Sequence, residues 1–266
     1  MKVRKGADRA GFAAVGLLVV AFAVFFLLPF AGLIDRAARE DGTWDAMTSA
    51  TARQALWLSL WTSALTVVIA VVAGTPVAYL LSRARFPGRA LADALVDLPI
   101  VLPPTVAGVA LLTAFGRRGL IGEPLEQWTG TAVSFTTAAV VMAQVIVAAP
   151  FYVRAARAGF DAVDVQFERV AATLGASRWR TFARVVAPQA RSALLGGIVL
   201  CWARAMGELG ATLIFAGNFR GTTQTMPLAI LESFEGAGGL GGAVALSVML
   251  LAVALVFLWL FRLVTR

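Results

Sequence analysis

Long apolar runs separated by short polar segments make up most of this 266-residue chain. A helix needs about 20 mostly apolar residues to cross the hydrocarbon core of a bilayer, and six of the runs reach that length. The pattern therefore predicts an all-α integral membrane protein in which residues 1–266 form a single transmembrane domain. The six predicted spans cover residues 11–34, 55–81, 91–112, 132–153, 193–215 and 241–263.

Between the fourth and fifth runs, residues 161–191 are polar, basic and patterned for helices. Apolar residues recur close to helical spacing on both sides of Gly175, which suits the left-handed position that follows a helix. Ser177 suits the N-cap of a second helix, and Pro188 suits its end. The segment is far longer than the usual connection of about 4–6 residues. We therefore predict a helix–turn–helix outside the bilayer that binds a partner.

The third run contains prolines that are unusual in a plain lipid-facing helix. Each proline removes a backbone hydrogen-bond donor and kinks or interrupts a helix. Pro99 is explained equally well by a helix that starts there, but Pro103 and Pro104 lie a turn or more deeper. Broken backbone at membrane depth is tolerated where it is buried in protein or lines a water-filled path. Pro103 and Pro104 are therefore candidates for a gate on a polar pathway.

The fifth run carries two ionisable residues, Arg204 and Glu208, within an apolar stretch. Four residues apart in a helix, they lie on one face and can form an ion pair. An ionisable residue near the middle of a bilayer costs about 2.5–3.5 kcal/mol, so each suggests a function. One interpretation is a buried structural ion pair that locks neighbouring helices. The other interpretation places this face, together with Thr212, on a polar route through the bilayer.

After the fifth run, residues 216–225 form a polar loop. Asn218, Thr223 and Gln224 supply hydrogen-bond donors that suit an anion at the outer mouth of such a route. An ordinary solvated turn would have the same composition, and the residues alone favour that interpretation.

Composition narrows the classes of function. Apolar residues make up 59% of the chain and charged residues 14%, and the mean hydropathy is +0.82, which excludes a soluble globule of this length. The single cysteine, Cys201, excludes a disulfide scaffold or a cysteine-based metal site, and the absence of histidine excludes His-ligated metals and His-based catalysis. No catalytic residue, metal ligand or resident cofactor is therefore predicted. No Gly-x-x-x-x-Gly-Lys-Ser/Thr phosphate-binding loop is present, so ATP hydrolysis by this chain is not expected.

Basic residues predict the orientation of the spans, since they concentrate in cytoplasmic segments. Sixteen lie on the side that holds both termini and residues 161–191, against six on the other side. Both termini are therefore predicted to be cytoplasmic. The net charge of +8 is explained by basic residues beside span ends and by anionic lipid, so nucleic acid is not an expected partner. The first run could be a signal peptide, but its length of about 24 residues exceeds the usual core of about 7–15, which favours a retained span.

Part of the polar segment resembles the EAA loop of ABC-importer permeases. Glu168-Arg-Val-Ala-Ala-Thr-Leu-Gly175 is followed, after nine residues, by Val185-Val-Ala-Pro188, and the spacing from Gly to Pro matches that pattern in full. Arg169, Val170 and Ala187 replace the Glu, the first Ala and the Leu of the pattern. The resemblance implies docking to a separate ATPase through Glu168, Arg169, Ala171, Ala172, Gly175, Ala176, Arg178 and Pro188.

A second resemblance concerns the substrate. Arg204-Ala-Met-Gly-Glu-Leu-Gly-Ala-Thr-Leu-Ile-Phe-Ala-Gly-Asn218 and Thr223-Gln-Thr-Met-Pro-Leu-Ala-Ile230 closely resemble molybdate permease subunits, and so do residues 98–104 and 115–122. Permeases for sulfate or thiosulfate are the nearest alternative. Tungstate is a further alternative, because it is almost isosteric with molybdate and carries the same charge.

This family implies a type I ABC-importer permease fold and a homodimer with its pore on the two-fold axis. Two copies of a cytoplasmic ATPase, which binds ATP and Mg²⁺, would lie below the dimer, and an extracytoplasmic oxyanion-binding protein would dock above it. The complex would reside in the bacterial inner membrane. The translocation pathway and gate would include Arg204, Glu208, Thr212, Pro103 and Pro104, and the outer mouth would include Asn218, Thr223 and Gln224.

Two other classes of protein stay open on the residues alone. A proton- or sodium-coupled secondary transporter could also have six spans and an intramembrane charge pair, but it would not need a segment like residues 161–191. Transport without any ATPase would favour that class. An intramembrane enzyme would need a catalytic constellation, and the chain offers little for one beyond scattered acidic residues.

Overall fold

The computed structural model describes the backbone of residues 2–265 and the side chains of Phe12 and residues 15–263. Every regular element in this range is helical, as the apolar runs predicted. The helices are α1 (Lys2–Arg39), α2 (Thr43–Thr48), α3 (Ala50–Arg83), α4 (Arg89–Val101), α5 (Pro104–Phe115), α6 (Gly122–Thr129), α7 (Thr137–Asp161), α8 (Val165–Thr173), α9 (Arg178–Thr181), a π-helical turn (Phe182–Val186), α10 (Ala187–Gln189), α11 (Arg191–Met206), α12 (Gly210–Ala216), α13 (Met226–Glu235) and α14 (Gly239–Thr265).

Helix α7 packs between α3 and α11. It runs parallel to α3, because Thr66 donates a hydrogen bond to Gln144 near the start of α7 (Oγ1 to Oε1, 3.0 Å), whereas Tyr79 packs against Phe160 near its end, with ring centroids 5.6 Å apart. Two neighbouring parallel helices require the chain to return between them. Helices α4, α5 and α6 make this return.

Small residues allow α7 to approach its neighbours closely. A Cβ atom added to Gly159 of α7 would lie 2.5 Å from Cβ of Ala193 on α11, and one added to Gly197 would lie 3.0 Å from Cβ of Ala155. These pairs also show that α11 runs antiparallel to α7. Small residues are typical of membrane-helix interfaces, because lipid provides no hydrophobic drive between helices. The buried face of α3 follows the same rule and includes Ala52, Ala55, Ser59, Thr62, Ser63, Thr66, Ala70, Gly74 and Ala78.

Helices α1 and α14 lie at the periphery. Leu246 of α14 packs with Met226 beside α3, and Phe257 stacks on Trp202 of α11 with ring centroids 3.6 Å apart. Helix α1 contacts α14, and its apolar side chains, such as Phe25, are largely exposed. This outer surface of α1 is suited to lipid or to another protein chain.

Within the described residues, four helices are long and apolar enough to cross a membrane, namely α1, α3, α7 and α14. The predicted spans 91–112 and 193–215 are not continuous helices. Helices α4 and α5 meet at an angle of 115°, and α11 ends at Met206 before α12 begins at Gly210. The helical stretch that precedes α11 also meets it at 76°. If each bent pair counts as one span, the number of crossings reaches six.

The fourth span begins and ends later than the predicted range of residues 132–153, since α7 starts five residues later and ends eight residues later. The start is delayed because Phe135 has a φ of +63° and the Thr136 side chain caps the first turn of α7. The end is delayed because Arg154 and Arg157 stay helical, and both form ion pairs with aspartates of α4.

The first and last spans are longer than the predicted ranges, because α1 continues through charged residues at both ends and α14 extends two residues further at each end. Five basic residues used to predict orientation lie outside the described side chains, namely Lys2, Arg4, Lys5, Arg9 and Arg266.

We expect Gly159→Ala to destabilise the bundle, because the new methyl group would lie 2.5 Å from Ala193 and force α7 away from α11. Overpacking of this kind costs about 1–3 kcal/mol, which should lower the apparent Tm of the detergent-solubilised protein in a tryptophan-fluorescence melt. Gly196→Ala is the matched control, since nothing lies within 4 Å of the Cβ atom added there. An equal fall in Tm for both variants would contradict the close-contact explanation.

Candidate functional site

The interruptions between α4 and α5 and between α11 and α12 lie side by side. A Cβ atom added to Gly210, the first residue of α12, would lie 3.2 Å from Cβ of Pro104 and 3.3 Å from the backbone nitrogen of Thr105. The N-terminal ends of α5 and α12 are therefore in contact, although about a hundred residues separate them in the chain. Residues of both predicted gate regions thus meet at one place.

Helices α5 and α12 then cross through small residues. A Cβ atom added to Gly108 would lie 2.9 Å from Cα of Ala211 and 3.0 Å from its carbonyl oxygen, so the two backbones touch. Leu111 of α5 and Phe215 of α12 continue this interface into a cluster that is buried against α7. Irregular backbone inside a membrane requires cover of this kind by other parts of the protein.

The first interruption follows from Pro103 and Pro104, as the sequence predicted. Neither residue has a backbone N–H, so neither can continue the hydrogen-bond ladder of α4. Pro104 instead takes the first position of α5, where a missing N–H is tolerated. Pro99 lies inside α4 and not at a helix start, so that alternative interpretation of Pro99 is wrong.

The second interruption contains no proline and is organised by Glu208. Its Oε1 accepts a hydrogen bond of 2.7 Å from the N–H of Ala211, which caps the start of α12. Its Oε2 lies 2.8 Å from Nη1 of Arg204, an ion pair whose angles are not those of a hydrogen bond. The predicted pairing is therefore present. It bridges the end of α11 and the start of α12, however, and does not lie on one continuous helix as predicted.

Arg204 is the more open member of this pair, with 27% of its side chain exposed against 1% for Glu208. Three further residues are exposed, namely Leu200, Ala203 and Gly207. They share a face with Arg204, because residues three and four apart lie on one side of a helix. Thr212, predicted to lie on the same route, is completely buried, and its hydroxyl has no hydrogen-bond partner among the described residues. In this conformation Arg204 reaches the open face and Thr212 does not.

Loop 216–225 directs its donors at a carboxylate of α13. Nδ2 of Asn218 donates to Oε2 of Glu232 at 3.2 Å, and Nε2 of Gln224 donates both to Glu232 and to Oδ1 of Asn218, the latter at 3.0 Å. Arg220 pairs with the same carboxylate, with Nε 3.1 Å from Oε1. Two of the predicted anion donors, Asn218 and Gln224, are thus occupied by the chain's own Glu232 in this conformation.

Thr223 forms hydrogen bonds to the backbone within loop 216–225. Its Oγ1 accepts a hydrogen bond from the N–H of Phe219 at 3.0 Å and donates one to the carbonyl oxygen of Gly217 at 3.2 Å. Thr223 and Gln224 are both buried. The loop is therefore ordered and internally bonded, while residues 219–222 at its tip are exposed, as in the solvated turn that the residues alone favoured. Its role at an outer mouth stays a prediction.

The polar segment, residues 161–191, forms the predicted helix–turn–helix. Asp164 caps α8, and its Oδ1 accepts a hydrogen bond of 2.8 Å from the N–H of Gln166. Gly175 has the predicted left-handed conformation, with a φ of +77°. Ser177 caps α9 as predicted, because its Oγ accepts a hydrogen bond of 3.3 Å from the N–H of Arg180.

Pro188 lies one residue before the end of the second helix of this segment, which stops at Gln189, close to the predicted position. It lies in α10, within a helical stretch that runs from Arg178 to Gln189 and widens into the π-helical turn just before the proline. A proline has no N–H for the carbonyl four residues earlier, and its ring crowds that carbonyl, so a wider turn relieves both problems. The change of direction comes later, between Gln189 and Arg191.

Glu168 faces inwards and fastens α8 to α3. Nε of Arg83 lies 2.6 Å from its Oε1, and the hydroxyl of Tyr79 donates to its Oε2 at 2.8 Å. Nη2 of Arg83 also donates to the carbonyl oxygen of Val163 at 2.9 Å. The side chains of Arg83 and Glu168 are only 16% and 17% exposed. Glu168 therefore anchors the polar segment from within and offers little surface to a partner.

The opposite side of the polar segment is open. Leu174 is 82% exposed and Trp179 is 75% exposed, although Trp179 stacks on Phe182. Exposed large apolar side chains grouped on a polar segment mark an interaction surface. Of the other residues predicted to bind a partner, Arg169, Ala172, Gly175, Arg178 and Pro188 are exposed, and Ala171 and Ala176 are half-buried.

Three residues of these sites were not predicted from the sequence. Arg83 contributed only to the predicted orientation of the spans, Tyr79 lies in an apolar run, and Glu232 had no predicted role. Arg83 and Glu168 are 85 positions apart, so no local spacing reveals their contact. The available signal was an arginine at the end of a predicted span together with an acid, Glu168, in the polar segment.

Comparison with known proteins shows which family this chain matches and which members of it are similar. Residues 67–266 match the family described as the binding-protein-dependent transport system inner membrane component. The chain is 42% identical over 213 residues to the molybdenum transport system permease protein ModB of Escherichia coli (strain K12), covering 79% of this chain and 93% of ModB. It is 32% identical over 250 residues to the sulfate transport system permease protein CysT of the same strain, covering 92% of this chain and 88% of CysT.

A solved structure shares the fold over nearly its full length. A chain of the bacterial alginate ABC transporter, determined in complex with an alginate pentasaccharide-bound periplasmic protein, aligns with a TM-score of 0.77 at 17% identity, covering 97% of this chain and 94% of that chain. Since the family match spans most of the sequence and the fold agrees, this chain belongs to the family of binding-protein-dependent transport system inner membrane components.

Proposed function

We propose that this chain is the membrane-spanning permease subunit of an ATP-driven ABC importer for molybdate. The observation that carries the proposal is the higher identity to the molybdenum permease than to the sulfate permease, over most of the chain. The two touching helix interruptions, with an arginine on the adjoining open face, are consistent with passage of a tetrahedral oxyanion.

Two copies of the chain would enclose the pathway, with the open face of α11 turned towards the two-fold axis. Arg204 would then present a positive charge to the oxyanion. Glu208 would hold the guanidinium in place and keep the site from binding the anion too tightly, since conduction requires weak binding. Because α5 and α12 touch at Gly108 and Gly210, these short helices would move together when the pathway opens.

Energy would come from two copies of a cytoplasmic ATPase that binds ATP and Mg²⁺, since this chain has no phosphate-binding loop. The exposed face of the polar segment, with Leu174 and Trp179, would lie in a groove on that ATPase. This arrangement requires both termini in the cytoplasm. Loop 216–225 would then face an oxyanion-binding protein outside the bacterial inner membrane.

Reconstitution with the cognate ATPase and binding protein in proteoliposomes tests the function. We expect ATP-dependent uptake of labelled molybdate to exceed uptake of labelled sulfate and tungstate at equal concentrations. Preferred uptake of sulfate or tungstate would contradict the substrate assignment but leave the importer intact. Uptake of molybdate without any ATPase would contradict the importer itself and favour a secondary transporter.

We expect Gly175→Val to reduce recovery of the ATPase with the purified permease, because a β-branched residue is strained at a φ of +77° and would displace the turn between α8 and α9. Gly130→Val is the matched control. Gly130 also follows a helix with a positive φ of +71° and open space around it, but it lies after α6, away from the polar segment. Undiminished recovery for Gly175→Val, or equal losses for both variants, would count against the docking role.

We expect Arg204→Ala to lower uptake about tenfold or more, since a contact with a charged group is worth about 1.5–3 kcal/mol. The same change leaves the buried Glu208 carboxylate without its ion-pair partner, which costs about 3–5 kcal/mol of stability.

Adding Glu208→Gln to Arg204→Ala separates the two effects. The amide oxygen of the substituted side chain can still cap Ala211, so the melting temperature should return towards the wild-type value while uptake stays low. Recovery of uptake together with stability would assign Arg204 a purely structural role.

A further inference from the structure

Helix α4 is attached to α7 by two ion pairs, one turn apart. Nη1 of Arg157 contacts a carboxylate oxygen of Asp93, and Nε of Arg154 lies 3.1 Å from Oδ1 of Asp97. The first pair is the better covered, with 30% and 27% of the two side chains exposed against 60% and 41% for the second. No residue of α4 is fully buried, so apolar packing holds this helix only weakly. The two ion pairs therefore provide a large part of the attachment of α4 to α7.

The same contacts continue to α3. Nε of Arg157 lies 3.7 Å from Oδ2 of Asp161, the last residue of α7. The hydroxyl of Ser82 donates to Oδ1 of Asp161 at 2.7 Å and accepts a bond from Nη1 of the neighbouring Arg83 at 3.3 Å. Arg83 in turn holds Glu168 of α8, with Nε and Oε1 2.6 Å apart.

A continuous chain of polar contacts thus joins α8 to α4. We call it the ion-pair chain; its residues, in order, are Glu168, Arg83, Ser82, Asp161, Arg157 and Asp93, with Arg154 and Asp97 as a second attachment of α4. The carboxylates and guanidiniums of these pairs line a cavity of about 350 Å³ between α4 and α7.

The position of α4 makes this chain relevant to the gate. Helix α4 ends at Val101, and α5 begins three residues later at Pro104. Pro104 lies against Gly210, which is two residues from Glu208. A displacement of α4 therefore reaches the interruption between α4 and α5 directly. The break at Pro103 supplies the flexible point, because neither Pro103 nor Pro104 has an N–H that could bond back into α4, and the Pro103 carbonyl bonds only forwards, to Val106 and Ala107 of α5.

We propose that the ion-pair chain is a positioning device that makes α4 follow the polar segment, so that movement of α8 is delivered to the paired helix interruptions. The proposal rests on the proposed function, since it needs an ATPase to move α8. Arg157 is its central residue, because it contacts carboxylates on both α4 and α7 and so joins α4 to the rest. The attachment stays closed throughout the transport cycle, with α4 and α7 moving as one body.

Uptake per ATP hydrolysed, in proteoliposomes that contain the complete complex, is the measurement. We expect Asp93→Asn to lower this ratio about fivefold, as for loss of one contact within a network, and Arg157→Gln, which removes the contacts to both Asp93 and Asp161, to lower it at least as much. Arg157→Lys keeps the positive charge but has one ammonium in place of the two nitrogens that contact Asp93 and Asp161, so its ratio should lie between those of the wild type and Arg157→Gln.

Asp35→Asn is the matched control, because Asp35 pairs with Arg39 within α1, where both side chains are exposed. It should leave the ratio unchanged. Recovery of the ATPase with each purified variant shows whether the complex has assembled. A wild-type ratio in Asp93→Asn or in Arg157→Gln would overturn the proposal. Loss of the ATPase from Asp93→Asn would also overturn it, since the pair would then serve assembly.

The two proposals fail in different ways. Wild-type complex that shows no ATP-driven uptake contradicts the proposed function before any variant is compared. If the wild type, Asp93→Asn and Arg157→Gln all show the same uptake per ATP hydrolysed, the role proposed for the ion-pair chain is contradicted and the proposed function is not.

Discussion

The contact between the backbones of α5 and α12 is the constraint on which the rest of this structure depends. Two interrupted helices leave backbone groups that lipid cannot satisfy, so each interruption must be covered by protein. Gly108 and Gly210 provide that cover, because the absence of a side chain lets Ala211 and Pro104 approach to van der Waals distance. Helix α7 backs the crossing with a buried apolar cluster, and α3 and α11 hold α7 in turn. The contact between the two helix interruptions therefore depends on the packing of the surrounding helices α3, α7 and α11.

The two ends of the bundle are held by different forces. Around the helix crossings, glycine and alanine contacts predominate, and the buried Glu208 combines a backbone cap with a single ion pair to Arg204. At the end that carries the polar segment, partly exposed charges join α8, α3, α7 and α4. Charges in reach of water avoid most of the desolvation cost that a buried pair carries, but each such pair contributes only about 0–1 kcal/mol, so several weak contacts share the attachment there. Attachment of this kind suits elements that are expected to move during transport.

Local chemistry predicted several details of the candidate sites correctly. Gly175 and Ser177 adopt the conformations that a helix end and a following N-cap require, because both preferences depend on near neighbours in the chain. Pro103 and Pro104 interrupt the third run because neither can donate a backbone hydrogen bond. Pro188 was predicted to end a helix, and the helix ends one residue later, after a wider π-helical turn has accommodated the proline. Thr212 was predicted to lie on a pathway, and in this conformation it is completely buried.

The sequence by itself determined that the chain is helical and membrane-spanning, where its apolar runs lie and which polar segment lies outside them, because length, hydropathy and proline or glycine chemistry act locally. Only the tertiary structure decided that α11 stops before Glu208, that the two interruptions touch, and that Glu168 turns inwards to Arg83. Each of these depends on partners far away in sequence. The end of α11 illustrates the reason. Gly-Glu-Leu carries no strong breaking signal, and the helix yields there because the Glu208 carboxylate is satisfied by Ala211 and Arg204 while Gly210 packs against Pro104.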